Sequence, residues 1–329
     1  MRARLLALRA AAIAAGSLAP GLVARADDAP AAGAASAPPR AKVSHPYLDS
    51  LVGSWDIVSR PEGLPEVKGT ARWWKALGDT ALVEEMAAGE GEHAFFGFGI
   101  LYVGADGTSL DRWWFDSMGQ GNVWHTKGTL AADGWVLSSG KGAAQIDNLM
   151  KKSGDGHAYT MKTGDKVNVA VSYQKAAKEA PPPPLVAALS IKQPLVLATL
   201  GDYTVKGEFK TTDNASAYEG KASIRLGVGG AYSIMDFEVT GAWGHVPSLS
   251  VDSVSADGKA LQGWGFSSFG DRPVAVAGTF FDTGWTGKAA TTSLGGPFDM
   301  TWTKTATGFE MKAAYPGGES MTETYTRKK

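Results

Sequence analysis

The densest run of chemically capable side chains is Arg112-Trp113-Trp114-Phe115-Asp116, closed by Ser117-Met118-Gly119. Read as a strand, its alternation puts Arg112, Trp114 and Asp116 on one face and Trp113 and Phe115 on the other. With Trp114 and Asp116 turned inward, an indole and a carboxylate line a cavity together, the way a mostly apolar pocket orients a ligand with a few polar groups. In the plainer alternative Asp116 caps the turn at Ser117-Met118-Gly119 and Trp114 is core. His125, in Val123-Trp124-His125-Thr126, falls on the following strand. The candidate ligand-binding set is therefore Trp74, Trp114, Asp116, Met118 and His125, with Trp74 as an aromatic wall. Asp116 with His125 is also the pair to nominate for acid–base catalysis, which needs the two within hydrogen-bond reach.

Other chemistry is excluded or bland. His45, His93, His157 and His245 form no His-x-His or His-x-x-x-His metal pair with one another or with His125, and His93, behind Glu90-Gly91-Glu92, reads as a solvated loop residue. Glu84 and Glu85 fall on opposite strand faces, so one points inward, but neighbours on a strand do not make a paired acid–base site. There is no Gly-x-Ser-x-Gly elbow, phosphate loop or dinucleotide fingerprint. The glycines of Gly97-Phe98-Gly99 suit positions where a sheet bends or a large neighbour packs close. The chain has no cysteine, which removes disulfides, thiolate metal sites and cysteine nucleophiles. Its 32 basic residues against 33 acidic ones lack the positive excess that nucleic-acid binding draws on. No resident cofactor or metal is expected, and catalysis is not the favoured role.

The elements that position these residues read as strands and turns. At 329 residues the chain is longer than a typical single domain of about 100 to 200. Residues 1–26 carry Arg2, Arg4 and Arg9, an apolar run from Ala10 to Ala19 and the triplet Ala24-Arg25-Ala26, the layout of a secretory signal cleaved between Ala26 and Asp27. Residues 27–42 hold too little apolar bulk to fold and read as a disordered tether. The apolar runs are too short to span a bilayer as helices. The expected location is the periplasm or the exterior. A Pro-rich linker, 176–194, separates an expected domain at 43–175 from another at 195–329. The two halves are diverged copies: Ala105-Asp106-Gly107 through Gly119 lies over Ala256-Asp257-Gly258 through Gly270. Asp-Gly turns punctuate short alternating runs in each copy. An antiparallel meander of eight to ten strands usually closes, because closure removes its edges.

Gly53-Ser54-Trp55 resembles the Gly-x-Trp signature of lipocalin-type barrels. With Gly97-Phe98-Gly99, Trp114-Phe115-Asp116-Ser117-Met118-Gly119 and the terminal Tyr325-Thr326-Arg327, the chain is similar to an uncharacterised bacterial lipocalin-like domain family in two tandem copies, and more distantly to nitrobindin-type haem-binding barrels. The resemblance implies two all-β, antiparallel barrels. It also implies an Arg stacked across the signature Trp at the closed end. Here each copy keeps half of that pair: Trp55 stands with Lys175, and Tyr203 with Arg327. Haem is the cofactor that the distant resemblance admits, with His125 as axial ligand and His157 as the fallback. The expected function is binding of a small apolar or amphipathic molecule. The alternative is an interaction module with filled barrels and an envelope-protein partner.

Overall fold

The computed structural model describes residues 40, 42–91, 94–119, 123–268, 273–290 and 297–329. The leader at 1–26, nearly all of 27–42 and His93 lie outside the described residues. Among those described, twenty strands form two closed antiparallel barrels of ten, the upper end of the expected eight to ten.

The first barrel comprises β1 (Gly53–Pro61), β2 (Val67–Ala76), β3 (Ala81–Ala88), β4 (Phe95–Val103), β5 (Ser109–Asp116), β6 (Val123–Ala131), β7 (Gly134–Ser139), β8 (Ile146–Ser153), β9 (Gly156–Thr163) and β10 (Lys166–Lys175). The second comprises β11 (Gly201–Lys210), β12 (Ala215–Gly227), β13 (Tyr232–Gly241), β14 (Gly244–Val254), β15 (Ala260–Ser267), β16 (Val274–Phe281), β17 (Gly284–Ala289), β18 (Phe298–Lys304), β19 (Gly308–Ala314) and β20 (Ser320–Arg327). Consecutive strands pair, and β10 closes on β1 as β20 closes on β11. Asx turns explain the tight hairpins: Asp106 Oδ1 accepts the Thr108 and Ser109 amides, and Asp257 Oδ1 accepts that of Lys259.

A six-residue helix precedes each barrel, α1 (Pro46–Leu51) and α2 (Pro194–Thr199). Each starts on proline, whose missing N–H costs nothing at that position. Each is capped by a side chain, with His45 Nδ1 accepting from the Tyr47 amide and Gln193 Oε1 from that of Leu195. Six residues are too few to show helical periodicity, so the sequence pattern does not reveal these helices.

Alternation along the strands builds an interior core in each unit. In the first, Trp55, Ile57, Ala71, Trp73, Leu82 and Met86 pack together over α1; in the second, Tyr203, Val205, Ile224, Phe309 and Met311 do so. The residues around the proline tract are tied down locally. The Ala176 and Ala180 amides donate to the Ser54 carbonyl and hydroxyl in the first unit. The Val186 and Ile191 amides donate to the Gly229 and Gly230 carbonyls in the second. The division between the units falls between Pro184 and Leu185.

Candidate functional site: the two barrel interiors

Both barrels are shut at the helix end by the same device. Trp55 Nε1 donates to the Leu51 carbonyl at 2.7 Å, and Tyr203 Oη donates to the Thr199 carbonyl at 2.7 Å, each satisfying a terminal helix carbonyl. Lys175 Nζ lies 4.6 Å from the Trp55 ring and donates to the Val52 carbonyl. The Arg327 guanidinium lies 5.3 Å from the Tyr203 ring and donates to the Ala198 carbonyl and to Tyr203 Oη. Each cation covers a glycine at positive φ, Gly53 at 125° and Gly201 at 131°, where a side chain would be strained and would strike the cation. Each copy thus completes a cation–aromatic pair with the partner it has.

Above that end the first barrel holds a polar layer. Register places Glu84 opposite Trp73 and Gly99, and Arg112 opposite Leu101, all on the inner face. Arg112 Nη2 donates to Glu84 Oε2 at 2.6 Å, and Tyr173 Oη donates to Glu84 Oε1 at 3.0 Å. Burial pushes the Glu84 carboxyl up, and Arg112 and the Tyr173 hydroxyl pull it back only in part. Alongside, Tyr159 Oη donates to Asn148 Oδ1 at 2.5 Å, and burial raises this phenol to about 12. Trp114 closes the layer: the Arg112 guanidinium sits 4.5 Å from its ring, and the indole lies across Gly97 and Gly99, where a Cβ would strike it. Ion pair, phenols and indole fill the middle of this barrel.

The residues singled out from sequence divide between the two faces of the wall. Trp114 and Asp116 turn inward. Asp116 also caps its turn, with Oδ1 accepting the Met118 and Gly119 amides at 2.9 Å each, while burial raises its pKa and the Trp114 indole N–H donates to it. Met118 is exposed in that turn. His125 pairs with Trp113 across β5 and β6, and so faces outward, stacked on Trp113 at 4.5 Å and bonded to Asp111 at 2.8 Å. Asp116 and His125 therefore sit on opposite faces, and this acid–base pair is not assembled. Trp74 also faces outward, in a cleft of about 560 Å³ with the Arg72 guanidinium 4.7 Å from its ring. The inward carboxylate of the Glu84-Glu85 pair is Glu84; alternation had placed Arg112 on one face with Trp114 and Asp116, but nothing in the sequence pointed to Arg112 and Tyr173 as partners of Glu84.

Neither histidine proposed for haem fits it. His125 is on the outer face, held by Asp111 and Trp113. His157 is wedged edge-on between Tyr47 and Trp55, at 5.4 and 4.9 Å, and burial pushes its pKa down. Buried among these core aromatics at 4% exposure, it has no porphyrin-sized space beside it. Among the described residues no three His, Asp or Glu side chains converge to hold a metal, and no helix is long and apolar enough to cross a membrane.

The second barrel keeps the strands and changes the contents. Matching registers put Met235 where the first has Glu84, Gly263 for Arg112, Gly265 for Trp114, Ser248 and Ser250 for Gly97 and Gly99, and Asp252 for Leu101. A Cβ built on Gly265 would meet nothing nearer than 3.9 Å. Ser248, Ser250, Asp252, Met235 and Trp302 line the inside and are each partly exposed. Asp252 lies over Gly263, accepts one long bond from Ser250 Oγ at 3.3 Å, and is raised by burial to about 7. Glu323, in the place of Val171, accepts from Tyr218 at 2.8 Å and from Tyr325 at 2.6 Å, and burial raises it as well.

No protein-family model matches the chain, and no curated protein matches it. Among solved structures it is similar to a protein of unknown function of the DUF3598 family from Nostoc punctiforme. The identity is 9%, the TM-score 0.22, and the match covers 87% of this chain and 100% of that one.

Proposed function

We propose that this is an exported small-molecule-binding protein that takes an amphipathic ligand into the interior of a barrel. The observation that carries the reading is Gly265. Where the first barrel is filled by Trp114, a Cβ on Gly265 would meet nothing nearer than 3.9 Å among the described residues, beside Ser248, Ser250, Met235 and Trp302, while Asp252 lies over Gly263 in place of Arg112. Apolar walls with a few polar groups are what a small-molecule site requires. The lipocalin-like relationship belongs to this proposal and is supported by the cation over an aromatic ring at both closed ends.

The filled first barrel favours a second role for that unit, as an interaction module presenting its outer surface to an envelope protein. Tandem modules gain by effective concentration.

Native mass spectrometry of the chain purified from its own host tests the main reading. A co-purifying small molecule that is lost on Gly265→Trp is the expected result. Absence of bound mass, together with no change in the fluorescence of added anilinonaphthalene sulfonate, would overturn it.

A further inference from the structure

The geometry points to an arylalkylamine as the ligand of the second barrel, its ammonium against Asp252 and its aromatic body in the space at Gly265. The inference rests on the binding reading above and adds the ligand class.

The first barrel supplies the template. There the Arg112 guanidinium lies 4.5 Å from the Trp114 ring, a cation and an aromatic group stacked together in the middle of the interior. The second barrel deletes both side chains, to Gly263 and Gly265, and at the same height replaces Leu101 by Asp252. An aromatic body and a cation have been removed, and a carboxyl group has been added beside the gap.

Among the described residues that carboxyl group has no cationic partner. At inward positions of β11–β20 the described residues carry a cation only at the closed rim, Lys304 and Arg327. Arg327 is already bonded to the Ala198 carbonyl and to Tyr203. A carboxylate has room for about four hydrogen bonds, and Asp252 accepts one at 3.3 Å. Glu323 is a different case, because each of its oxygens already accepts from a tyrosine. Asp252 is therefore the anchor. A buried carboxylate without a cation is unfavourable, and a ligand ammonium with three donors relieves it, with Ser248 and Ser250 able to accept the remaining protons. The apolar remainder of the ligand then replaces the missing indole against Met235, Val274 and Trp302, where an aromatic body packs well.

Isothermal titration of the full chain with phenethylamine and with phenylethanol, which differ in the ammonium, tests this. The amine is expected to bind about tenfold or more tightly than the alcohol, as for one charge-assisted contact. Asp252→Asn should abolish that preference and leave the alcohol unchanged. Asp252→Leu, which installs the first barrel's own residue, should do the same if the Asn variant does not fold. Gly265→Trp should remove both ligands. Equal affinities for amine and alcohol would overturn the amine assignment and leave cavity binding intact. No binding of the amine at millimolar concentration would overturn it too, with the mass-spectrometric experiment deciding separately whether the cavity binds anything.

Discussion

The two barrels are built from the same ten-strand meander and the same helical stopper, yet among the described residues one interior is filled at its middle and the other has room beside Gly265. Their closed ends agree in every interaction that matters: an aromatic donor to the helix carbonyl, a cation over that ring, and a glycine beneath the cation. Their middles agree in almost none. The first holds a Glu84–Arg112 ion pair under Trp114; the second has Met235, Gly263 and Gly265 at those positions and sets its carboxylates, Asp252 and Glu323, elsewhere. Closing the barrel constrains the end where chain entry and exit meet. The middle is free to change, provided its polar groups remain satisfied or a ligand satisfies them.

The sharpest way to break this comparison is to remove one half of the plug. Arg112→Ala leaves Glu84 buried without its cation and should destabilise the first barrel by about 3 to 5 kcal/mol, whereas replacing both partners by Met should cost much less. Hydrogen exchange resolved by barrel separates that loss from the second unit, which should be unmoved. Equal costs for the single and double variants would show that the ion pair does not act as a unit.

Next in size is a test of space. Gly97→Ala drives a methyl group into the Trp114 indole and should cost about 1 to 3 kcal/mol. Gly265→Ala meets nothing nearer than 3.9 Å and should change the stability of its barrel by no more than about 0.5 kcal/mol. Denaturant titration followed barrel by barrel would read both, and a costly Gly265→Ala would mean that the second barrel is not open.

The third contrast is in pH. Asp252 keeps its proton in the folded chain up to about 7, while the unfolded chain releases it near 3.8. Between those values the folded state binds more protons at this site, so the contribution of Asp252 to stability is fully present below pH 4 and is lost as pH rises to 7. At about 1.4 kcal/mol per pKa unit, reduced by screening at a partly open site, the loss is on the order of 2 kcal/mol. Asp252→Asn should make the fall shallower in the second barrel and leave the first barrel's profile unchanged, with Glu323 supplying the remaining slope, as hydrogen exchange at pH 4.5 and pH 7 (about the two ends of that window) would show. The smallest expected effect is at the closed ends, where Lys175→Arg gives the first barrel the second's cation and should alter stability by no more than about 0.5 kcal/mol.

Much of this architecture could be read in advance at particular residues. The overlay of Asp106-Gly107 on Asp257-Gly258 placed two turns that the structure builds from side-chain-capped Asx loops. Alternation along 112–116 put Arg112, Trp114 and Asp116 on one face, and they share the inner one. The same alternation did not say which way the next strand's histidine would point. His125 faces out because its partner across β5 is Trp113, a register set by how the two strands pair and not by the alternation within either one. Trp74 faces out for a similar reason, being next to the inward Trp73.

Sequence by itself determined the tandem copies, their strand character and the substitutions that distinguish one interior from the other, because turn chemistry and period-two alternation are local properties of the chain. Only the tertiary structure decided that Glu84, Arg112 and Tyr173 meet, that Lys175 and Arg327 each find an aromatic ring, and that Gly265 has room for a side chain among the described residues. Those facts depend on strand register and barrel closure, which join residues as far apart as β3 and β10. In a closed barrel a residue's surroundings are set by the whole ring of neighbours.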